Sequence, residues 1–210
     1  MIPVIFEDDD LLLLDKPAGL LTIPGRTPDK ADCLWTRLRE AYPADQILLV
    51  HRLDRDTSGL ILFAKTREAQ AELGRAFARR NIEKTYLAVV HGIPDAPEGR
   101  IDAPLRKDWT RNDPPVYIVD PERGKSAVTR WQRLQSASGC ALLALFPETG
   151  RSHQLRVHML SIGHPIVGDP IYGPPEDPPG FRLHAAALAF AHPRSGVRLS
   201  FAAPPPFTFP

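Results

Sequence analysis

Apolar positions along the 210-residue chain come in short runs, some alternating with polar residues and some spaced three and four apart. Val4–Glu7 and Leu11–Asp15 read as two strands, the second running into a turn at Lys16-Pro17-Ala18-Gly19. Asp32 stands where a helix cap belongs, ahead of Leu34, Leu38 and either Ala41 or Tyr42 on one face. Ile47–Val50 predicts a buried strand; His51 to Gly59 interrupts it, and Leu60–Lys65 resumes as another. Thr66 caps a second helix, with Ala69, Leu73, Ala76 and Phe77 on one side. Arg75, Arg79 and Arg80 at its far end complement the helix dipole. Lys84–His91 alternates like a strand, with Tyr86, Ala88 and Val90 sharing a face.

The second half continues in the same manner. Residues 94–116 are rich in Pro, Asp, Arg and Gly and read as a long excursion, functional or mobile. Ser126–Gln135 and Cys140–Phe146 pair through a turn at Ser136–Gly139. Ser152 to Ile162 predicts a helix that Gly163 ends, and Leu183–Ala191 and Val197–Phe201 are late strands. Strands and helices mix without a βαβ rhythm. The expected class is therefore α+β, a largely antiparallel mixed sheet with flanking helices, in a single domain over residues 1–210.

Composition narrows the setting. The 23 prolines are roughly twice the usual share, and their scatter suggests fixed turns. No apolar run approaches the ~20 residues of a membrane helix. The N-terminus is acidic (Glu7, Asp8, Asp9, Asp10) where a signal peptide is basic and then apolar, so secretion and a membrane are not expected. Cys33 and Cys140 form neither a disulfide framework nor a paired metal-ligand motif; as small buried residues they fit a reducing cytoplasm. The net charge is +1, yet residues 51–160 hold 18 basic and 13 acidic side chains. That segment either presents a face to an anion such as a phosphate backbone or is an ordinary mixed surface.

Several familiar motifs fail on spacing. Gly124-Lys125-Ser126 ends like a phosphate loop, but Val119 occupies the place of its first glycine. Ser58-Gly59 lacks the spacing of a nucleophile elbow. His153 and His158 stand five apart, which does not stack two metal ligands on one helix face, and His164 with Asp169 is a weak pair. No metal is expected. The interruption at 51–59 is the stronger feature, a charged loop set between apolar strands. A guanidinium near Asp54, from Arg52 or Arg55, would hold its carboxylate ionised as a nucleophile or base requires; a structural salt bridge in a turn is the alternative. Gly150-Arg151-Ser152-His153-Gln154-Leu155-Arg156-Val157-His158 crowds polar side chains onto the start of an apolar helix, either to meet an anion or as a cap and solvated face.

These segments carry a resemblance. His51-Arg52-Leu53-Asp54-Arg55-Asp56-Thr57-Ser58-Gly59-Leu60 resembles the active-site signature of RluA-type pseudouridine synthases. The likeness runs in order through Leu14–Leu20, Lys84–Gly92, Gly150–His158, Gly163–Asp169, Leu183–Ala185, His192-Pro193 and Phe201–Pro204. Ile23-Pro24-Gly25-Arg26, Lys107-Asp108-Trp109 and Arg156–Leu160 are similar to compact members that act on both 23S ribosomal RNA and a tRNA anticodon stem-loop. Many larger relatives carry an N-terminal S4-like module, which is not expected here.

The resemblance implies an isomerase that needs no cofactor. Asp54 would be the catalytic carboxylate, Arg151 would orient it, and Tyr86 would stack on the uracil near the departing C5 proton. Arg52 would fill the space left by the flipped uridine. Arg55, His153, Arg156, Arg106, Lys107 and Arg111 would contact RNA, with Arg100 and Trp109 of the 94–116 segment helping to grip a stem-loop. A monomer acting on RNA in the cytoplasm is expected. Two rivals stand beside this reading: an inactive RNA-binding module, and a glycosidase using Asp54 and Asp56 as its two acids.

Overall fold

The computed structural model describes residues 2–25, 27–43, 46–112 and 114–209. Arg26 and residue 113, both within segments read above, lie outside these. In chain order the elements are β1 (Val4–Glu7), β2 (Leu11–Lys16), α1 (Leu34–Ala41), β3 (Leu48–Leu49), β4 (Ser58–Ala64), α2 (Arg67–Ala78) and β5 (Glu83–His91). There follow β6 (Glu98–Asp102), β7 (Leu105–Asn112), β8 (Pro115–Val119), β9 (Val128–Ala137), β10 (Cys140–Pro147), α3 (Gln154–Ser161), β11 (Leu183–Ala191) and β12 (Arg198–Ala202). The class is α+β, with antiparallel pairing throughout the registers below. No helix among the described residues is long and apolar enough to cross a membrane.

The chain divides into two compact units, Met1–Lys84 with Ala185–Pro206, and Thr85–His184 with Phe207–Pro210. In the first, the strand order is β1-β2-β4-β11, with β3 on β4 and β12 on β11. Leu11, Leu12, Leu13 and Leu14 are all buried, as a strand covered on both faces requires. Their partners on β4 run from Leu11↔Ala64 to Lys16↔Gly59. Gly59 has φ +110°, and a Cβ there would lie 2.4 Å from the Ala185 carbonyl oxygen, so only glycine lets β11 come this close. α2 covers the sheet through Ala69 and Leu73, which pack with Leu60, Leu62, Leu188 and Phe190. Thr66 caps it as expected, its hydroxyl accepting from the Ala69 amide at 3.2 Å.

In the second unit the order is β5-β10-β9-β6, and β7 and β8 form a separate pair. β9 and β10 make the expected hairpin, from Pro147↔Thr129 to Cys140↔Ala137. Leu143, Leu145, Leu155, Met159 and Ile166 lie in one core beneath α3. Leu105, Val116, Ala127, Val157 and Tyr172 form another, which anchors the β7–β8 pair.

Two sequence expectations are corrected here. Cys33, not Asp32, caps α1: its sulfur accepts from the Thr36 amide at 3.4 Å while the Thr36 hydroxyl accepts from the Cys33 amide at 3.1 Å. Asp32 lies one position too early and instead binds the Arg37 guanidinium at 2.7 and 2.6 Å. The 94–116 segment is not a long loop but contains β6, β7 and the start of β8. Its prolines punctuate the strands (Pro104 precedes β7, and Pro115 opens β8), and polar residues suit β6 because it is an edge strand.

Candidate active site

The loop after β3 is tied down one residue at a time. Pairing of β3 with β4 reaches Leu49↔Phe63, and the His51 ring then replaces the strand, its Nε2 accepting the Leu62 amide at 3.0 Å. The ring lies 4.9 Å from that of Phe77 on α2. An imidazole nitrogen that accepts carries no proton, and burial, aided by the nearby Lys84 charge, pushes the His51 pKa down to about 4. His51 is thus a neutral extension of the β-ladder.

Asp54 follows, half-buried, with backbone anchors on both sides. Before it, the Thr22 hydroxyl donates to the Leu53 carbonyl at 2.8 Å and accepts from the Leu53 amide at 3.2 Å. After it, Lys16 Nζ donates to the Arg55 carbonyl at 2.9 Å, and also to Pro17 at 2.9 Å and Leu20 at 2.8 Å. Lys16 has no solvent exposure, and three carbonyls match its three ammonium protons. Burial lowers its pKa to about 8, against the pull of the Asp56 and Asp54 carboxylates. The Arg55 guanidinium engages Asp56 at 3.0 Å, and Arg52 is exposed. The 16–22 turn therefore holds the backbone that carries Asp54.

The other expected residues belong to the second unit. Tyr86 is half-buried on β5, opposite Leu145 of β10. Arg151 is exposed ahead of α3, its Nε donating to the Ser126 carbonyl at 3.0 Å. Gln154 fixes that approach: its side-chain oxygen accepts from Thr149 and from the Arg151 amide, and its nitrogen donates to Val128 and Thr129. His153 takes a left-handed conformation at φ 55°, costly for a residue with a Cβ, and its Nδ1 meets the Tyr172 hydroxyl at 2.8 Å. The same hydroxyl oxygen accepts from the Tyr117 amide at 2.8 Å, so Tyr172 links β8 to His153.

Arg156 must be corrected as an RNA contact. It is 2 % exposed, binds Asp169 through both carboxylate oxygens at 2.7 and 2.5 Å, and lies over the Tyr172 and Phe181 rings. The α3 periodicity turns it inward, so the cation serves the core. Arg106 has a divided position: it pairs with Asp120 and donates to the Lys107 carbonyl at 3.1 Å, with its side chain about one-third exposed. Lys107 lies 4.7 Å over the Trp109 ring, and Trp109 and Arg111 are exposed.

The family whose description reads RNA pseudouridylate synthase matches residues 10–161, a span that holds the Asp54 loop, Tyr86 and Arg151. The chain belongs to that family. It is 45% identical over 200 residues to the dual-specificity RNA pseudouridine synthase RluA of Vibrio vulnificus (strain CMCP6), covering 91% of this chain and 78% of that relative. The synthase of the same name from Escherichia coli (strain K12) is 43% identical over 208 residues, 97% of this chain and 93% of the relative. Among solved structures, human RNA pseudouridylate synthase domain containing 1 superposes with a TM-score of 0.81 at 26% identity, covering 99% of this chain and 85% of that one. Within this synthase fold, Lys16 and Thr22 hold the backbone on either side of Asp54, and reading the sequence missed both. A lysine beside a proline at the end of a strand announces a turn, and only the tertiary structure shows it reaching position 55.

Proposed function

We propose that this pseudouridine synthase isomerises uridines in structured RNA, in 23S ribosomal RNA, a tRNA anticodon stem-loop or both, with Asp54 as the catalytic carboxylate. One observation carries the reading: Asp54 lies in a charged loop whose flanking backbone is fixed by Thr22 and Lys16, in a chain of this family. In the reaction the N1–C1′ bond breaks, the uracil turns, C5 joins C1′ and the C5 proton leaves while N1 gains one. The product is an isomer of the substrate, so no redox partner or group donor is required. Asp54 acts at the sugar or base once the uridine has left the stack; Tyr86 stacks on the uracil, and Arg151 orients the carboxylate. Arg52 occupies the vacated stack, its planar guanidinium suited to bases and phosphates alike. Arg55, His153, Lys107 and Arg111 contact the RNA, and Arg106 braces the hairpin that carries the last two.

Incubation of the purified protein with each RNA in excess chelator, followed by nucleoside analysis, tests this. Pseudouridine at a defined position supports the reading. Binding without product would favour a non-catalytic RNA-binding protein, and release of free uracil would favour glycoside hydrolysis.

A further inference from the structure

Trp109 has the highest exposure of any large apolar side chain among the described residues, 71 %. The β7–β8 pair does not need it for packing, since Leu105 and Val116 supply the buried anchors. The pairing steps from Asp108↔Val116 directly to Asn112↔Pro115, so Trp109, Thr110 and Arg111 form an extruded bulge, all three exposed. A bulge of this kind re-aims side chains away from the sheet. Asp108 stabilises it: one carboxylate oxygen accepts from the Thr110 amide at 3.0 Å and from the Thr110 hydroxyl at 2.7 Å. Those bonds, with Arg111 and Arg106 near, hold the Asp108 carboxyl below its ordinary range. The indole is thus presented to solvent by a hydrogen-bonded turn, with the Lys107 ammonium 4.7 Å from its ring centroid.

We propose that Trp109 is a stacking platform for an unpaired base of the substrate RNA, with Lys107 and Arg111 meeting the adjoining phosphates. The proposal rests on the RNA-modifying reading above and adds to it a site and a preference for unpaired over paired nucleotides. Bases of every kind stack on an exposed aromatic ring, and cations beside the ring neutralise the backbone that delivers them. A protein partner fits less well. Its neighbours along the chain, Lys107, Asp108, Thr110 and Arg111, are charged or polar, which suits a nucleic acid better than a hydrophobic interface.

The test compares an anticodon stem-loop with a fully paired duplex of equal length. The part of the tryptophan emission that Trp109→Phe removes should be quenched by the stem-loop and shielded from acrylamide. Trp109→Ala should weaken stem-loop binding by about 5- to 100-fold. Trp109→Tyr should recover most of that, Trp109→Leu should not, and duplex binding should change by less than about twofold. Unchanged Trp109 emission, equal recovery by Leu and Tyr, or equal losses on both RNAs would overturn the platform. Pseudouridine analysis of the same wild-type mixtures keeps the two readings apart. Product formed while Trp109 stays unresponsive removes the platform alone, and quenching without product removes the isomerase reading alone.

Discussion

Lys16 Nζ donates to the carbonyl oxygen of Arg55 at 2.9 Å, across 39 residues of sequence and one residue beyond Asp54. A charged donor buried among three carbonyls makes a rigid joint, and its failure leaves those carbonyls unpaired. Each such loss costs about 1–3 kcal/mol. Lys16→Met, similar in length and unable to donate, should lower turnover by at least about tenfold, with a smaller change in RNA affinity.

The pH dependence follows from the same joint. The folded pKa of Lys16, about 8, lies below its ordinary 10.5. Between those values the unfolded chain holds the extra proton, so the Lys16 contribution to stability rises with pH. In the folded protein the ammonium that grips Arg55 is lost as the pH passes about 8. Turnover should therefore fall above pH 8 while the melting temperature does not, and Lys16→Met should lack that alkaline limb. A limb unchanged in Lys16→Met would assign it to another group.

His51 acts with the same sign in an acidic window. Its pKa falls from 6.5 to about 4 on folding, so its contribution is complete above pH 6.5 and lost as pH falls toward 4. The loss is on the order of 3 kcal/mol. Urea unfolding at stepped pH should show it in the wild type and not in His51→Gln, which keeps an acceptor for the Leu62 amide but cannot titrate.

Arg156 and Asp169 test the difference between a core cation and an RNA contact. Breaking a buried pair from one side costs about 3–5 kcal/mol. Arg156→Ala should unfold at much lower urea, while the salt dependence of RNA binding by the folded fraction stays unchanged. Lys107→Ala with Arg111→Ala should do the reverse, leaving stability intact and reducing the salt slope by about one to two.

Much of this was legible in the residues, for reasons that differ by element. The β9–β10 hairpin and α2 announced themselves because their turn and cap signals sit beside strong apolar patterns. The β6 and β7 strands were hidden because they are polar, edge-like and bounded by prolines, so local composition resembles a loop. The Asp54 loop stood out as charge between apolar runs. Its supports did not, because Thr22 and Lys16 act through backbone groups 31 and 39 residues away, and no local pattern encodes that distance. Arg156 misled because a cation near a helix start reads as surface, until burial and Asp169 show otherwise.

Variants at Arg52 and Asp54 would separate the proposed flipping role from the proposed chemistry. Arg52→Ala should lose most turnover on a folded stem-loop and regain part of it on RNA whose target uridine is already unpaired, where less unstacking is required. Equal losses on both RNAs would assign Arg52 to positioning Asp54.

The central claim is the role of the Asp54 carboxylate, and Asp54→Asn tests it most directly, because size and hydrogen-bonding shape are nearly kept while the charge is removed. Pseudouridine formation and RNA affinity should be measured on the same preparation. The account predicts no detectable product with affinity within about tenfold of wild type, or ~1.4 kcal/mol. Measurable turnover by Asp54→Asn, in protein shown by mass spectrometry to retain the amide, would contradict it.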